Sequence, residues 1–332
     1  MNTPEAGLFL GLDTSCYTTS VALCRSDAAD GVFLQQRRLL TVPEGARGLA
    51  QSDMVFQHAT RLPELIEALF DMQRTEWPNV RLSGIAVSAR PRPAEDSYMP
   101  AFRVGEGFAR SLAAAMNLPL VRTTHQQGHL RAARVATDLR GNRPFLAVHL
   151  SGGTTEVLQA DTETCILLGG TRDLHAGQLI DRIGVRLGLA FPAGAQLEAL
   201  AARGQAQGRL KTSVSGLSCH FSGAEAQALR WIEAETLPPQ DIAAEVFACV
   251  ARTVSRLIVE AANQTGLDEV LLGGGVASSY IIRAQIIERV AARRRAVRLH
   301  FARPDLAGDN AVGVALIGME QRRSDQDAWS ID

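Results

Sequence analysis

The chemistry in this chain starts from two histidines four residues apart, in the segment His125-Gln126-Gln127-Gly128-His129. Residues at i and i+4 share one helical face, so both imidazoles reach a single cation there. The alternative is a chance pair among the seven histidines. The zinc-peptidase pattern HExxH needs a glutamate general base after the first histidine, and Gln126 stands in its place, which disfavours peptide hydrolysis. A third ligand is offered by Asp309 in ARPDLAGDNAVGVAL, where Gly308 and Asn310 mark a turn before a helix of small residues. Two histidines and one carboxylate suit Fe(II) or Zn(II), with positions left open for substrate oxygens.

Glycine-rich segments supply a second kind of chemistry. In LSGGTTEVL, Leu150–Leu158, glycines let backbone N–H groups approach an anion closely, although the same triplet also makes ordinary turns. In EVLLGGGVASSYIIRAQI, Glu269–Ile286, an aliphatic strand runs into three glycines, and Ser278 and Ser279 begin a helix. Phosphate or ribose at that helix N-terminus would meet free N–H donors; a close-packed strand-to-helix turn is the other reading. The spacing is not GxGxxG, and no acidic residue follows at the dinucleotide-binding distance. Asp181 in HAGQLIDRIG and Gly194 in FPAGAQ form a candidate ribose contact, or Asp181 belongs to the polar face of its helix. The basic run Arg289–Arg298 reads as a solvated helix end or as an RNA footprint.

These residues need a framework of alternating elements. Short aliphatic stretches bounded by Gly, Thr, Ser or Asp predict strands at Leu8–Asp13, Ser20–Cys24, Gly84–Ser88, Phe145–Leu150, Glu156–Ala160, Glu269–Gly273 and Val297–Ala302. Helical spacing predicts Met54–Met72, Arg103–Met116, Ala176–Leu187 and Asp241–Thr265. The last is bounded by Pro238-Pro239 before it and Gly266 after it. A repeat sharpens this α/β pattern. FLGLDTSCYTTSVAL (Phe9–Leu23) and FLAVHLSGGTTEVLQ (Phe145–Gln159) align without a gap and agree at Phe9/Phe145, Leu10/Leu146, Ser15/Ser151, Thr18/Thr154, Thr19/Thr155 and Val21/Val157. Both read as strand, small-polar turn, strand. A duplicated domain opening on a phosphate-handling hairpin predicts an actin-like, sugar-kinase-like architecture of two ribonuclease-H-like halves around a central cleft. The expected boundaries are 1–120 for the first half, with a C-terminal helix at 308–325 packing back on it, and 121–307 for the second.

Composition agrees with a folded two-domain protein. The 332 residues are 46% hydrophobic and 21% charged, which excludes global disorder. No apolar run approaches the ~18 residues of a membrane span. The five cysteines are scattered without a CxxC pair, and the first residues lack a basic, then apolar, leader pattern; a reduced cytoplasmic setting is the expectation. The net charge of −1 argues against indiscriminate coating of nucleic acid. The cations are nonetheless all arginine except Lys211, so local arginine sites remain open.

Taken together, the chain resembles the TsaD/Gcp/Kae family of tRNA threonylcarbamoyladenosine synthesis, historically labelled glycoprotease or peptidase M22. The resemblance rests on seven collinear segments: LGLDTSCYTTSVAL, THQQGHL, FLAVHLSGGTTEVL, HAGQLIDRIGVRLGLAFPAG, HFSG, VLLGGGVASS and FARPDLAGDNAVGVALIG. It implies that His125, His129 and Asp309 bind one divalent metal. It implies a nucleotide, threonylcarbamoyl-AMP or ATP/ADP, held by His149, Leu150, Ser151, Gly152 and Gly153 together with Asp181, Gly194, Gly274, Gly275 and Ser279. The implied reaction transfers a threonylcarbamoyl group from its adenylate to the exocyclic amine of the adenosine beside the tRNA anticodon. The implied partners are TsaB-like and TsaE-like subunits and tRNA.

The sequence also departs from the family pattern. Tyr17 and Thr18 stand where Asp-Glu is usual, Arg90-Pro91-Arg92 replaces a Gly-Pro-Gly loop and is followed by the acidic PAEDSYMP, Thr154 replaces a histidine, Glu225 a lysine, and Ser279 an asparagine. These changes motivate a second reading, a non-catalytic paralogue that binds metal and nucleotide and serves as scaffold for the related subunit. A kinase of the same fold is a third, which would work with Mg²⁺ and carboxylates instead of a transition metal.

Overall fold

The computed structural model describes residues 6–15, 17–28, 32–42, 49–94, 96–135, 137–139, 143–161 and 164–329, with side chains as far as 322. Glu5, Cys16 and Glu95 lie outside the described residues. The chain divides into two compact units, Met1–Ala136 with Gly308–Asp332, and Thr137–Ala307.

The first unit is built on strands β1 (Gly7–Asp13), β2 (Thr18–Arg25), β3 (Phe33–Leu39), β4 (Arg81–Arg90) and β5 (Leu120–Thr124), in the order β3-β2-β1-β4-β5. β1 and β2 are entirely buried apart from Arg25, because helices cover both faces of the sheet and leave no solvent side for polar alternation. Helix α1 (Gln51–Glu76) and helix α2 (Phe102–Met116) pack Leu62, Leu65, Leu69, Ala109 and Ala113 against Leu8, Leu10, Leu12, Val21 and Leu23. Helix α3 (His125–Ala133) follows β5 immediately, and the C-terminal helix, which starts at Val312, lies along β1 and α3. Gly11 permits this: a Cβ there would sit 2.5 Å from the Ala311 carbonyl oxygen. Residues 121–136 thus fold with the first unit and not the second. β5 pairs in parallel with β4, and Gly128 of α3 packs on Val314.

The second unit repeats that plan. It contains β6 (Phe145–Leu150), β7 (Thr155–Ala160), β8 (Cys165–Thr171), α4 (Ala176–Arg186), α5 (Gly194–Ala201), β9 (Ser213–Ser215), β10 (Ser218–His220), α6 (Ser222–Glu233), α7 (Pro239–Thr265), β11 (Glu269–Gly273), α8 (Tyr280–Arg293) and β12 (Arg298–Phe301). Its sheet runs β12-β11-β6-β7-β8-β10-β9. β6, β7, β8, β11 and β12 reproduce the order and directions of β1, β2, β3, β4 and β5. The registers coincide as well. Leu12 faces Val21 and Asp13 faces Ser20 in the first hairpin; Val148 faces Val157 and His149 faces Glu156 in the second. The gap-free sequence repeat is therefore also a structural one. The centre of this unit is α7, whose Ile242, Val246, Val250, Val254, Leu257 and Ala261 are buried against the sheet. Gly266 ends it in the left-handed conformation, φ 74°. Among the described residues, no helix is long and apolar enough to cross a membrane.

Candidate functional site

In the first unit, α3 begins directly on β5, so its first residue is also a strand-end residue. Thr124 caps it by accepting from the Gln127 amide, while the Gln127 side chain accepts from the Thr124 amide, a reciprocal box that fixes the start. His125 and His129 then project from one face, with Nε2 atoms 2.9 Å apart. Asp309, in the turn before the C-terminal helix, brings Oδ1 to 3.0 Å from His129 Nε2 and 3.5 Å from His125 Nε2. That turn is held by Asn310, whose Oδ1 accepts from the Val312 amide and whose Nδ2 donates to the Gly308 carbonyl. The donor atoms of all three side chains lie within 4.8 Å of one another.

The three residues fit a divalent metal. A cation ~2.1 Å from each donor separates donors by ~3.0 Å at right angles and ~3.4 Å at tetrahedral angles, within about 0.1 Å of the 2.9, 3.0 and 3.5 Å observed here. Imidazole and carboxylate are the donors that Fe(II) and Zn(II) take. The chain also prepares the lone pairs. His125 Nδ1 donates to Asp13 Oδ2 at 2.8 Å, which leaves Nε2 facing His129 and Asp309. Burial disfavours a charged His125, but the Asp13 and Asp309 carboxylates outweigh it and lift its protonation well above the usual imidazole range. Burial likewise opposes ionisation of Asp309, yet hydrogen bonds from the two histidines hold it far below the usual carboxylate range. The three donors thus gather as a cluster that protons and a cation compete for.

Asp13 was not a candidate from sequence. It ends β1, is 2% exposed, and accepts from the Ser15 amide at 2.8 Å as well as from His125. The arginine loop lies beside this cluster, since the Pro91 carbonyl accepts from the Gln126 amide at 3.0 Å. Arg90 and Arg92 are both exposed there, and the Ser97 hydroxyl accepts from the Arg92 amide.

In the second unit, the loop after β6 is clasped from two sides. The Gly177 amide of α4 donates to the Ser151 carbonyl, and a Cβ at Gly177 would lie 2.7 Å from the Gly152 amide nitrogen. Gly274 takes φ 93° just beyond β11, with space for no side chain: a Cβ would lie 2.2 Å from the Leu150 carbonyl oxygen and 2.7 Å from the His149 ring. His149, Leu150, Ser151, Gly152, Gly153, Gly274 and Gly275 therefore gather at the carboxyl ends of the parallel strands β6 and β11, where open α/β sheets bind ligands. Gly152 and Gly153 are exposed, with open space on their Cα atoms.

Asp181 and Gly194 are also brought together, because Asp181 Oδ1 accepts from the Ala193 amide at 2.9 Å and so fixes the start of α5. Ser279 is less available than expected. Its hydroxyl accepts from the Ile282 amide as the cap of α8 and donates to Glu198 Oε1 at 2.6 Å, and Glu198 also takes the Ile281 amide. A carboxylate thus occupies the N-terminus of α8, where the sequence left phosphate or ribose and a close-packed turn as the two readings. Glu225 is paired with Arg182 at 3.1 Å. Within the basic run, Arg294 is bonded to Asp268 and Arg298 to Glu269, so two of its five arginines are paired with carboxylates within the fold.

Comparison with known proteins bears on the family and the fold. The sequence model of the TsaD family, described as tRNA N6-adenosine threonylcarbamoyltransferase, matches residues 47–316. The protein of that name from Aromatoleum aromaticum is 31% identical over 319 residues, covering 93% of this chain and 90% of that one. Those from Synechococcus and Methanopyrus kandleri are each 30% identical, covering 93% and 87% of this chain and 86% and 81% of theirs. Among solved structures, the activator of 2-hydroxyisocaproyl-CoA dehydratase from Clostridium difficile aligns over 97% of both chains with TM-score 0.54 and 15% identity. A ROK family glucokinase from Streptomyces griseus aligns over 95% of this chain and 100% of its own, with TM-score 0.54 and 11% identity. At such identities these two establish the fold alone, which is the actin-like, sugar-kinase-like one. The sequence matches go further: this chain belongs to the TsaD family of tRNA N6-adenosine threonylcarbamoyltransferases.

Proposed function

We propose that the protein transfers a threonylcarbamoyl group from threonylcarbamoyl-AMP to the exocyclic amine of the adenosine beside the tRNA anticodon, using one divalent metal, Fe(II) or Zn(II). The observation that carries this reading is the donor set His125, His129 and Asp309, with Asp13 fixing the first imidazole. Such a metal would supply Lewis acidity toward the threonylcarbamoyl carbonyl. The chain's own residues do the rest. Asp13 orients His125, the exposed Arg90 and Arg92 offer cationic charge beside the cluster, and the His149–Gly153 loop, with Gly274, Gly275, Asp181 and Gly194, holds the nucleotide by backbone donors and a carboxylate. Family membership supports cytoplasmic work with TsaB-like and TsaE-like subunits and with tRNA. Peptide hydrolysis has no support, because Gln126 cannot act as general base.

The second reading, a metal- and nucleotide-binding scaffold without transfer activity, draws on the substitutions at Tyr17, Thr18, Thr154 and Glu225. One experiment separates the two. Bound metal is quantified in purified protein, and transfer is assayed on unmodified tRNA with threonine, bicarbonate, ATP and the partner subunits. Stoichiometric metal with transfer, both lost in His125→Ala and Asp309→Ala, is the expected result. Metal without transfer selects the scaffold. Absence of metal, with both variants behaving as the parent, overturns the site.

A further inference from the structure

The polar groups around Asp13 extend below the metal cluster. Ser20 lies directly across from Asp13 in the β1–β2 ladder. On the other side, Leu12 pairs with Val87, so the next position of β4, Ser88, flanks Asp13, and Ser88 in turn pairs with Thr123 of β5. Cross-strand neighbours present their side chains on the same face of a sheet. Ser20, Asp13, Ser88 and Thr123 therefore form one polar row across four strands. It lies on the face covered by α3 and the C-terminal helix, because Asp13 bonds His125 and Gly11, two residues back, meets Ala311.

Within this row, two hydroxyls lack partners. Ser20 is 2% exposed and Ser88 is 0% exposed, and neither Oγ makes a hydrogen bond among the described residues; Ser15 Oγ, two residues beyond Asp13, is in the same condition. A buried hydroxyl left unsatisfied is costly, and three of them gather at this one strand end. Asp13 is the acceptor they surround. Its two oxygens accept one bond each from the Ser15 amide and His125, and an ionised carboxylate has room for about four. The hydroxyls are near the carboxylate but not bonded to it. That combination of donors and acceptor fits a buried water.

We propose that Ser20 and Ser88 hold ordered water against Asp13 and, through it, fix the carboxylate that orients His125, which makes them positioning residues for the metal centre. This inference rests on the metal-binding reading given above. Outer hydrogen-bond partners of a ligating histidine change metal affinity by about 10–100-fold in other sites. Two bonds removed from ligand, acting through water, place the effect of Ser20→Ala/Ser88→Ala at the lower end, about tenfold.

The test is a Co(II) titration of the chelator-stripped protein followed by visible absorption, with the thermal midpoint of the metal-free form recorded alongside. The expected result is about tenfold weaker Co(II) binding in the double alanine variant with an altered absorption band, and recovery toward parental affinity in Ser88→Thr, which keeps the hydroxyl. If the hydroxyls are merely orphaned, alanine removes an unsatisfied group. The metal-free variant is then as stable as the parent or more so, Co(II) binding is unchanged, and the inference falls while the metal site stands. If the parent itself binds no Co(II), the metal site and this inference fall together. Should both alanine and threonine variants lose affinity in step with a lowered thermal midpoint, the serines are only packing residues, and the inference is again overturned.

Discussion

Replacing Asp13 by asparagine preserves shape and removes one acceptor, which makes it the sharpest probe of the metal cluster. The carboxylate accepts twice, from the Ser15 amide at Oδ1 and from His125 Nδ1 at Oδ2, both at 2.8 Å. An amide group has a single acceptor atom. If its NH₂ turns to His125, Nδ1 must accept, and the imidazole proton moves to Nε2. It then lies in the 2.9 Å gap to His129 Nε2, occupying the lone pair a cation needs. If the NH₂ turns instead to Ser15, a buried N–H loses its acceptor at a cost of about 1–3 kcal/mol. The first route lands in the range of about 1.4–2.7 kcal/mol, a 10–100-fold loss of metal affinity, whereas the second weakens metal-free and metal-bound protein alike and is read as lost stability. Co(II) competition against a chromophoric chelator measures it, and Asp309→Ala provides the scale for losing a ligand outright. Parental affinity together with parental stability in Asp13→Asn, with metal binding of Asp309→Ala clearly impaired, would refute the claim that Asp13 sets the tautomer of His125.

Stability of the metal-free protein carries a pH signature. His125 has its protonation raised, so its contribution is fully present below the unfolded value near about 6.5 and is lost as pH climbs through the higher folded value. Asp309 is depressed, so its contribution is present above about 3.9 and is lost as pH falls through the lower folded value. Urea unfolding in chelator should therefore show a plateau between those unfolded values and a decline on the alkaline side that His125→Ala removes. In the second unit, Gly274→Ala forces a Cβ to 2.2 Å from the Leu150 carbonyl at φ 93°. ADP affinity measured by calorimetry should fall at least about tenfold, beyond the ~1–2 kcal/mol of left-handed strain alone, with Co(II) affinity unchanged. Glu245, 1% exposed, accepts from the amides of Gln207, Arg209 and Leu210. Glu245→Ala should cost about 2–4 kcal/mol in denaturant unfolding, and Glu245→Gln should recover part of it.

What the residues disclosed in advance depended on how local the determinant is. α7 was legible because prolines, an aliphatic stripe and Gly266 all lie within one stretch of chain. His125 and His129 were legible because helical periodicity alone makes them neighbours. Asp13 was not, since its value comes from a bond to a residue 112 positions away, created by β1 and β5 ending at the same side of one sheet. Glu198 escaped for a similar reason, lying 81 positions from the Ser279 that it binds. β3 leaves no strand signal because FLQQRRL is an edge strand with little apolar alternation, and β9 and β10 are three residues each. The first unit extends beyond the expected residue 120 because LVRTT, β5, short and half polar, joins its sheet and carries α3 with it. At α8 the sequence leaves phosphate or ribose and a close-packed turn open, and the structure adds that Glu198 accepts from the first donors of the helix.

The repeat places different side chains on one plan. Asp13 and His149 occupy the same position in matching ladders, with Ser20 opposite one and Glu156 opposite the other. In the first unit that strand end keeps side chains: a carboxylate between two serines, turned toward an imidazole on a helix that starts within hydrogen-bonding reach. In the second unit the neighbouring parallel strand ends in Gly273, paired with His149, and the next residue takes a conformation that only glycine adopts easily. The loop there consequently packs backbone on backbone, with Gly274 against Leu150 and Gly177 against Ser151 and Gly152. Side chains at a strand end can hold a cation in fixed geometry, whereas close-packed glycines expose amides, and amides suit phosphate. On the proposed function, divergence at a few equivalent positions is enough to suit one hairpin to metal and its copy to nucleotide. The strands behind them could stay alike, because nothing in either chemistry requires them to differ.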